Sequence, residues 1–175
     1  MAIEIVTHDE DLQRMLSDLR QKSIDMTPVM REIAGYLGAF TKKVFNTEGY
    51  ALLGKKWHPL KESTVKNKVK RGAWPRMILE DSYQLEQSIQ QFYSDHEAGV
   101  STNKVYAATH QFGSSESVSV PSHTRTMKKT GKTYTVKPFT MKRNIPARPF
   151  FGFSDKVIGD IMTIIMKYYQ DDTEK

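Results

Sequence analysis

Ile145-Pro146-Ala147-Arg148-Pro149-Phe150-Phe151-Gly152, followed by Phe153-Ser154-Asp155, is the stretch from which the rest of the chain reads most clearly. Each proline fixes its own φ and disfavours the helical region for the residue before it, here Ile145 and Arg148. The run is therefore extended and stiff. Phe150, Phe151 and Phe153 then offer a large apolar surface at one point. A rigid strap so delivers one arginine and three aromatics to a fixed place. The simplest use of it is a pinned loop that plugs a core; a binding surface is the other.

On the C-terminal side, Ser154 is placed to cap a last helix, with Val157, Ile158, Ile161, Met162, Ile165 and Tyr168 as its apolar face and a tail from Gln170. On the N-terminal side, residues 114–144 are polar, serine-rich and then basic, almost without aliphatics. Within them Thr124–Met127 and Tyr134–Val136 flank Lys128-Lys129-Thr130-Gly131-Lys132, a hairpin signal with glycine at the turn. This arm carries too little apolar surface to fold alone, so it reads as mobile or as an interface element ordered by a partner. Before it, Val105–Phe112 suits a short helix stopped by Gly113. Gln90–Ser94 and Gly99–Thr102 suit two strands joined at Ser94-Asp95-His96-Glu97, and Asp81 or Ser82 can cap a turn containing Leu85 and Ile89.

The strongest periodicity lies further upstream. Met30, Ile33, Leu37, Phe40 and Val44 recur in steps of three and four, widened by Tyr36 and Phe45, after the start signal Thr27-Pro28. A helix over 28–45 would be roughly 27 Å long at about 1.5 Å per residue, enough to span the domain. Residues 46–60 read as an irregular loop in which Trp57 is an anchor, and Ser63–Arg71 as a short basic helix ended by Gly72. At the start, Ile3–Val6 suits a strand, and Thr7–Glu10 is a capping box opening a helix from about His8 to Lys22, with Leu12, Met15, Leu16 and Leu19 on one stripe.

The 175 residues suffice for one domain with a proper core, of radius of gyration roughly 16 Å if compact. With no cysteine there is neither a disulfide framework nor a thiolate metal site. No apolar run approaches the ~20 residues of a membrane helix and no signal-peptide order opens the chain, so a soluble protein is expected. The net charge of +6 is concentrated. Between Thr41 and Arg76, Lys42, Lys43, Lys55, Lys56, Lys61, Lys66, Lys68, Lys70, Arg71 and Arg76 face only Glu48 and Glu62. Between Ser114 and Arg148, Arg125, Lys128, Lys129, Lys132, Lys137, Lys142, Arg143 and Arg148 face only Glu116. Such a middle can meet nucleic acid or an acidic protein surface.

Catalytic patterns are missing. The histidines stand apart at 8, 58, 96, 110 and 123. There is no HExxH, no metal-ligand pair, no phosphate-cradling glycine loop and no GxSxG elbow. Asp95-His96-Glu97 reads as a turn. No enzyme, metal or cofactor is expected.

Four motifs in order carry a resemblance: Trp57-x-Pro59-Leu60; Leu79-x-x-Ser82-x-x-Leu85-x-x-Ser88-Ile89; Tyr106-Ala107-x-x-His110-Gln111-Phe112-Gly113; and Ile145-Pro-Ala-Arg-Pro-Phe150. Over roughly residues 10–170 the chain resembles the phage virion morphogenesis, or tail-completion, proteins of the Mu-like group. Where that family usually carries Thr-Gly, this chain has Ser82-Tyr83, a departure that bears on the local turn. The resemblance implies a structural protein acting late in assembly of a tailed phage, at the neck or tail end, that lets the tail join a DNA-filled head. It implies an α+β fold, with a few helices packed on a small antiparallel sheet, and action as a homo-oligomeric ring. The partners implied are head–tail connector or tail-tube proteins and DNA in the channel, with no membrane; the place implied is the virion, after assembly in the host cytoplasm. One domain over 1–175 is expected, with the 114–144 hairpin arm inserted. The expected structural or interface anchors are Trp57, Tyr106, Phe112, Arg148, Pro149 and Phe150, and the basic arm is marked by Arg125, Lys128, Lys129 and Lys132. The competing class is a nucleic-acid-binding module, in which Trp57, Trp74, Tyr134 and Phe139 would stack on bases among the basic residues.

Overall fold

The computed structural model describes residues 13, 14, 17, 19, 20, 23–72, 76–127 and 130–170. The expected strand at 3–6, the capping box at 7–10, most of the helix over 8–22, Trp74, Lys128, Lys129 and the tail beyond Gln170 lie outside them.

The fold is α+β and is built on α1, Thr27–Asn46. Its apolar stripe is wider than the steps of three and four require: Val29, Ala34 and Thr41 are buried beside Ile33, Leu37, Phe40, Val44 and Phe45. The reason is that α1 is covered from more than one side. The hairpin of β1 (Gln90–Tyr93) and β2 (Ala98–Ser101), paired antiparallel from Gln90↔Ser101 to Tyr93↔Ala98, packs along it, and so does the last helix. Pro28 sits in the first turn, but Thr27 is already helical and caps nothing; its N–H donates to Asp25 Oδ1 at 3.0 Å.

The region 46–60 is not wholly irregular. Gly49 and Gly54 both take left-handed φ, 88° and 66°, and bracket one helical turn, α2 (Tyr50–Leu53). At Gly49 two demands meet. Its backbone is left-handed, and a Cβ there would collide with the Trp57 indole, so only glycine fits. Glu48 beside it is also left-handed and is held from three directions: its carbonyl accepts Trp57 N–H at 2.7 Å, and its carboxylate accepts Ile78 N–H and Lys56 Nζ, both at 3.1 Å. Burial works against the Glu48 carboxylate, but these donors, with the Lys56 and Lys68 charges, hold its pKa below the usual value.

Next come α3 (Glu62–Lys70) and α4 (Gln84–Gln87). Neither Asp81 nor Ser82 caps α4. The residue before it is Tyr83, left-handed at φ 57°, which accounts for glycine at the equivalent place in the family it resembles. Arg76 lies over the Tyr83 ring, 5.6 Å from its centre. After α5 (Ala107–Phe112) the chain runs out as β3 (Ser114–Val120) and β4 (His123–Thr126), and returns as β5 (Thr133–Val136) and β6 (Phe139–Ile145). The antiparallel strands therefore form three two-stranded ladders rather than one small sheet.

The last helix, α6 (Asp155–Gln170), is capped by Ser154, whose Oγ accepts Val157 N–H at 3.4 Å. Its inner face is Val157, Ile161, Ile164, Ile165 and Tyr168. Ile158 and Met162, expected on that face, are 49% and 50% exposed, one turn apart on the outer side with Met166. Tyr36 ties α1 to α6 by donating to Asp160 Oδ2 at 2.6 Å; burial and that bond push its pKa up to about 12.

Candidate functional site

An extended segment cannot satisfy its own backbone groups, so each N–H and C=O of the strap must find a partner elsewhere. The partners come from two places. Arg148 N–H donates to His110 O at 2.7 Å, and the Trp57 indole Nε1 donates to Pro149 O at 2.9 Å. The Gln111 side-chain amide supplies three more bonds. Its Oε1 accepts from Phe150 N at 3.1 Å and Phe151 N at 3.3 Å, and its Nε2 donates to Phe151 O at 2.6 Å. An amide side chain has both functions on one end and can imitate a neighbouring strand.

Arg148 returns the contact. It is 6% exposed, and its Nε and Nη2 donate to His58 O at 3.1 Å and Pro59 O at 3.3 Å. So the Trp57 side chain holds the strap backbone, and the strap side chain holds the Trp57 loop backbone. Burial holds the Arg148 pKa below its ordinary value. Phe150 fills the core beneath this knot, 5.3 Å from Phe45, and Trp57 (4% exposed) meets the same Phe45 edge-on. Phe151 packs against the core edge and meets the exposed Phe153 ring edge-on, 5.5 Å away, so of the three phenylalanines only Phe150 is buried in the core.

The anchors expected from the sequence thus divide. Trp57, Arg148, Pro149 and Phe150 converge at the knot. Phe112 does not: it is 78% exposed and stands outside the core. Tyr106 is also exposed and lies edge-on to His110, 5.9 Å away. Gln111, beside Phe112, takes the structural part, and the sequence reading gave it none. Its signal was a polar residue with two functions next to a glycine stop, in a chain that also holds a strap needing partners.

The knot also sets the feet of the arm. Gly113 (φ 78°) leads from α5 into β3; a Cβ there would come within 2.9 Å of Ala147 N and Ile145 O. Ser114 pairs with Ile145 directly above. From this base β3 and β6 pair over seven positions, and β4 and β5 continue in register from His123↔Val136 to Thr126↔Thr133. The tip matches the hairpin read from the sequence, with Gly131 left-handed and Met127 N–H bonded to Lys132 O. The outer pair β3/β6 was not foreseen. Directly opposed residues share a face, so Val118 with Met141 and Val120 with Phe139 make one face apolar along the outer half of this pair, with Glu116 and Arg143 opposed on the same face nearer the root. Ser115 with Asn144, Ser117 with Lys142 and Ser119 with Thr140 make the other polar. On the distal part Arg125 opposes Tyr134, and Arg125 Nε donates to His123 Nε2 at 3.1 Å. Phe139, Met141 and Tyr134 are exposed.

Between α3 and the root of β6 runs a groove. Two adjoining cavities, about 390 and 410 Å³, share Leu60, Thr64, His110 and Arg148. Among the described residues no cluster of His, Asp and Glu could hold a metal ion, and no helix is long and apolar enough to cross a membrane.

Residues 7–170 match the phage virion morphogenesis family. The chain belongs to that family. The Mu-like prophage FluMu G protein 2 of Haemophilus influenzae is 29% identical over 169 residues, covering 96% of each chain. No solved structure matches. The matched span includes the residues of the knot and of the ribbon.

Gln111→Ala leaves two N–H groups and one carbonyl of the strap without partners. At about 1–3 kcal/mol per group left unpaired, and with water able to reach part of the site, a loss of about 2–4 kcal/mol is expected in urea denaturation. The adjacent Phe112→Ser is expected within about 0.5 kcal/mol of the parent.

Proposed function

We propose that this morphogenesis protein completes the phage tail or neck so that it joins the DNA-filled head, acting as a non-catalytic ring subunit whose ribbon crosses to the next copy. The observation that carries the reading is the ribbon. It extends on the order of 40 Å at about 3.3 Å per residue, more than twice the radius of a compact core of this length. Its feet are fixed, while Val118, Val120, Phe139 and Met141 form an apolar patch in which Phe139 and Met141 are exposed, with Met141 bordering the groove beside α3. Two-stranded ribbons are marginal in water, and one with an open apolar face gains stability by lying on a neighbour. A patch on one copy that meets a different patch on the next is a heterologous contact, which closes into a ring when the rotation allows. The basic residues of the ribbon and of α3 suit acidic neighbours in a connector or tail tube, or DNA in a channel. The place of action is then the virion neck or tail end, reached by assembly in the host cytoplasm. The reading as a nucleic-acid module loses one platform, because the Trp57 indole is buried and bonded within the chain.

Electron microscopy of a lysate from a phage with this gene interrupted is expected to show filled heads apart from tails of normal length. Whole particles would refute the assembly role, and heads with no tails would move it to an earlier step. In the purified protein, replacing 115–144 by a two-residue link between the paired feet is expected to leave a folded core that sediments as a monomer. An oligomer unchanged from the parent would refute the crossing ribbon.

A further inference from the structure

The groove between α3 and the ribbon root holds two polar groups that the fold leaves incomplete. Arg148 is 6% exposed, yet its guanidinium bonds are to two carbonyls, and among the described residues no carboxylate lies within 4.0 Å of it. Buried cations are ordinarily paired. His110 Nδ1 is buried with no hydrogen-bond partner, the one such side-chain atom among the described residues. Both groups line both cavities. The rim adds Lys61, Arg71, Lys142 and Arg143, while its single acid, Asp81, is tied to Arg71 at 3.1 Å.

We propose that this groove receives a carboxylate from an acidic segment of a partner protein, with Arg148 and His110 on its floor and the lysines and arginines of the rim around it. A carboxylate has two oxygens, which match a guanidinium edge and the imidazole N–H of the Nδ1–H tautomer together. Burial, and then the Arg148 charge, lower the His110 pKa. A duplex phosphate fits less well. The floor is shielded, and a side chain can enter cavities of about 400 Å³ where a double helix cannot. The ribbon of another copy is excluded as the guest by charge, since it too is basic (Arg125, Lys132, Lys137). The inference goes beyond the assembly role and does not need the ring.

The test uses the full chain with labelled histidines and three probes at one ionic strength: a hexaglutamate peptide, a hexaglutamine peptide and a short DNA duplex. Hexaglutamate is expected to shift the His110 imidazole resonances and leave those of His96 and His123 in place. The double variant Lys61→Glu, Arg143→Glu on the rim is expected to weaken its binding by roughly tenfold or more, about 1.4 kcal/mol. His110→Gln, which keeps the Arg148 N–H bond to the backbone, is expected to weaken it by a smaller factor without loss of the folded spectrum. No His110 shift with hexaglutamate, an equal shift with hexaglutamine, an equal shift with the duplex, or binding unmoved by the rim variant would each overturn the proposal.

Discussion

The structure depends on an exchange between two segments 90 residues apart. The Trp57 indole N–H holds the Pro149 carbonyl, and the Arg148 guanidinium holds the His58 and Pro59 carbonyls. Neither segment has regular secondary structure, so neither can satisfy its backbone alone. Each is fixed by the other, and both are fixed to α1 through Phe45, which touches Trp57 and Phe150. The prolines matter because a strap that is already extended loses little conformational freedom when it is clamped. Removing one partner leaves buried carbonyls or a buried cation without bonds, which costs more than the bond itself contributes.

That knot explains how a small core can carry a long ribbon. The strap continues from β6, and α5, which supplies His110 and Gln111, continues into β3. Both feet thus rest on the knot, where the Trp57, Arg148 and Gln111 side chains bond backbone groups. The direction in which the ribbon leaves is set there, while along its length the strands are held to each other by cross-strand pairs. Rigidity at the base and an open face beyond it are what a subunit needs to present one element to a neighbour without unfolding itself.

Much of this was legible in the sequence, and for identifiable reasons. The period of α1 was plain because a helix covered from several sides must be apolar over a broad stripe. The strap was plain because proline restricts its neighbours irrespective of context, and the hairpin tip because glycine marks a left-handed turn. What stayed hidden was decided by tertiary partners. Phe112 looked like an anchor on composition, yet the neighbouring Gln111 does the anchoring, since only the folded strap shows which backbone groups need an amide. The outer strands β3 and β6 hide because their apolar face is assembled from two residues on each strand. On α6 the choice between Ile158 and Ile164 depends on where α1 lies, and at 83 the left-handed turn falls on a tyrosine that gives no local signal of it.

Hydrogen exchange on the free subunit tests the central claim, a clamped base under a ribbon that completes itself on a partner. The amides of Arg148, Phe150 and Phe151 are expected to exchange only on global unfolding, and those of 115–126 and 133–144 far sooner, through local opening. In assembled particles the ribbon amides are expected to slow to the rate of the core. Strap amides that exchange as fast as the ribbon, or ribbon amides equally protected in the free subunit and the particle, would contradict the account.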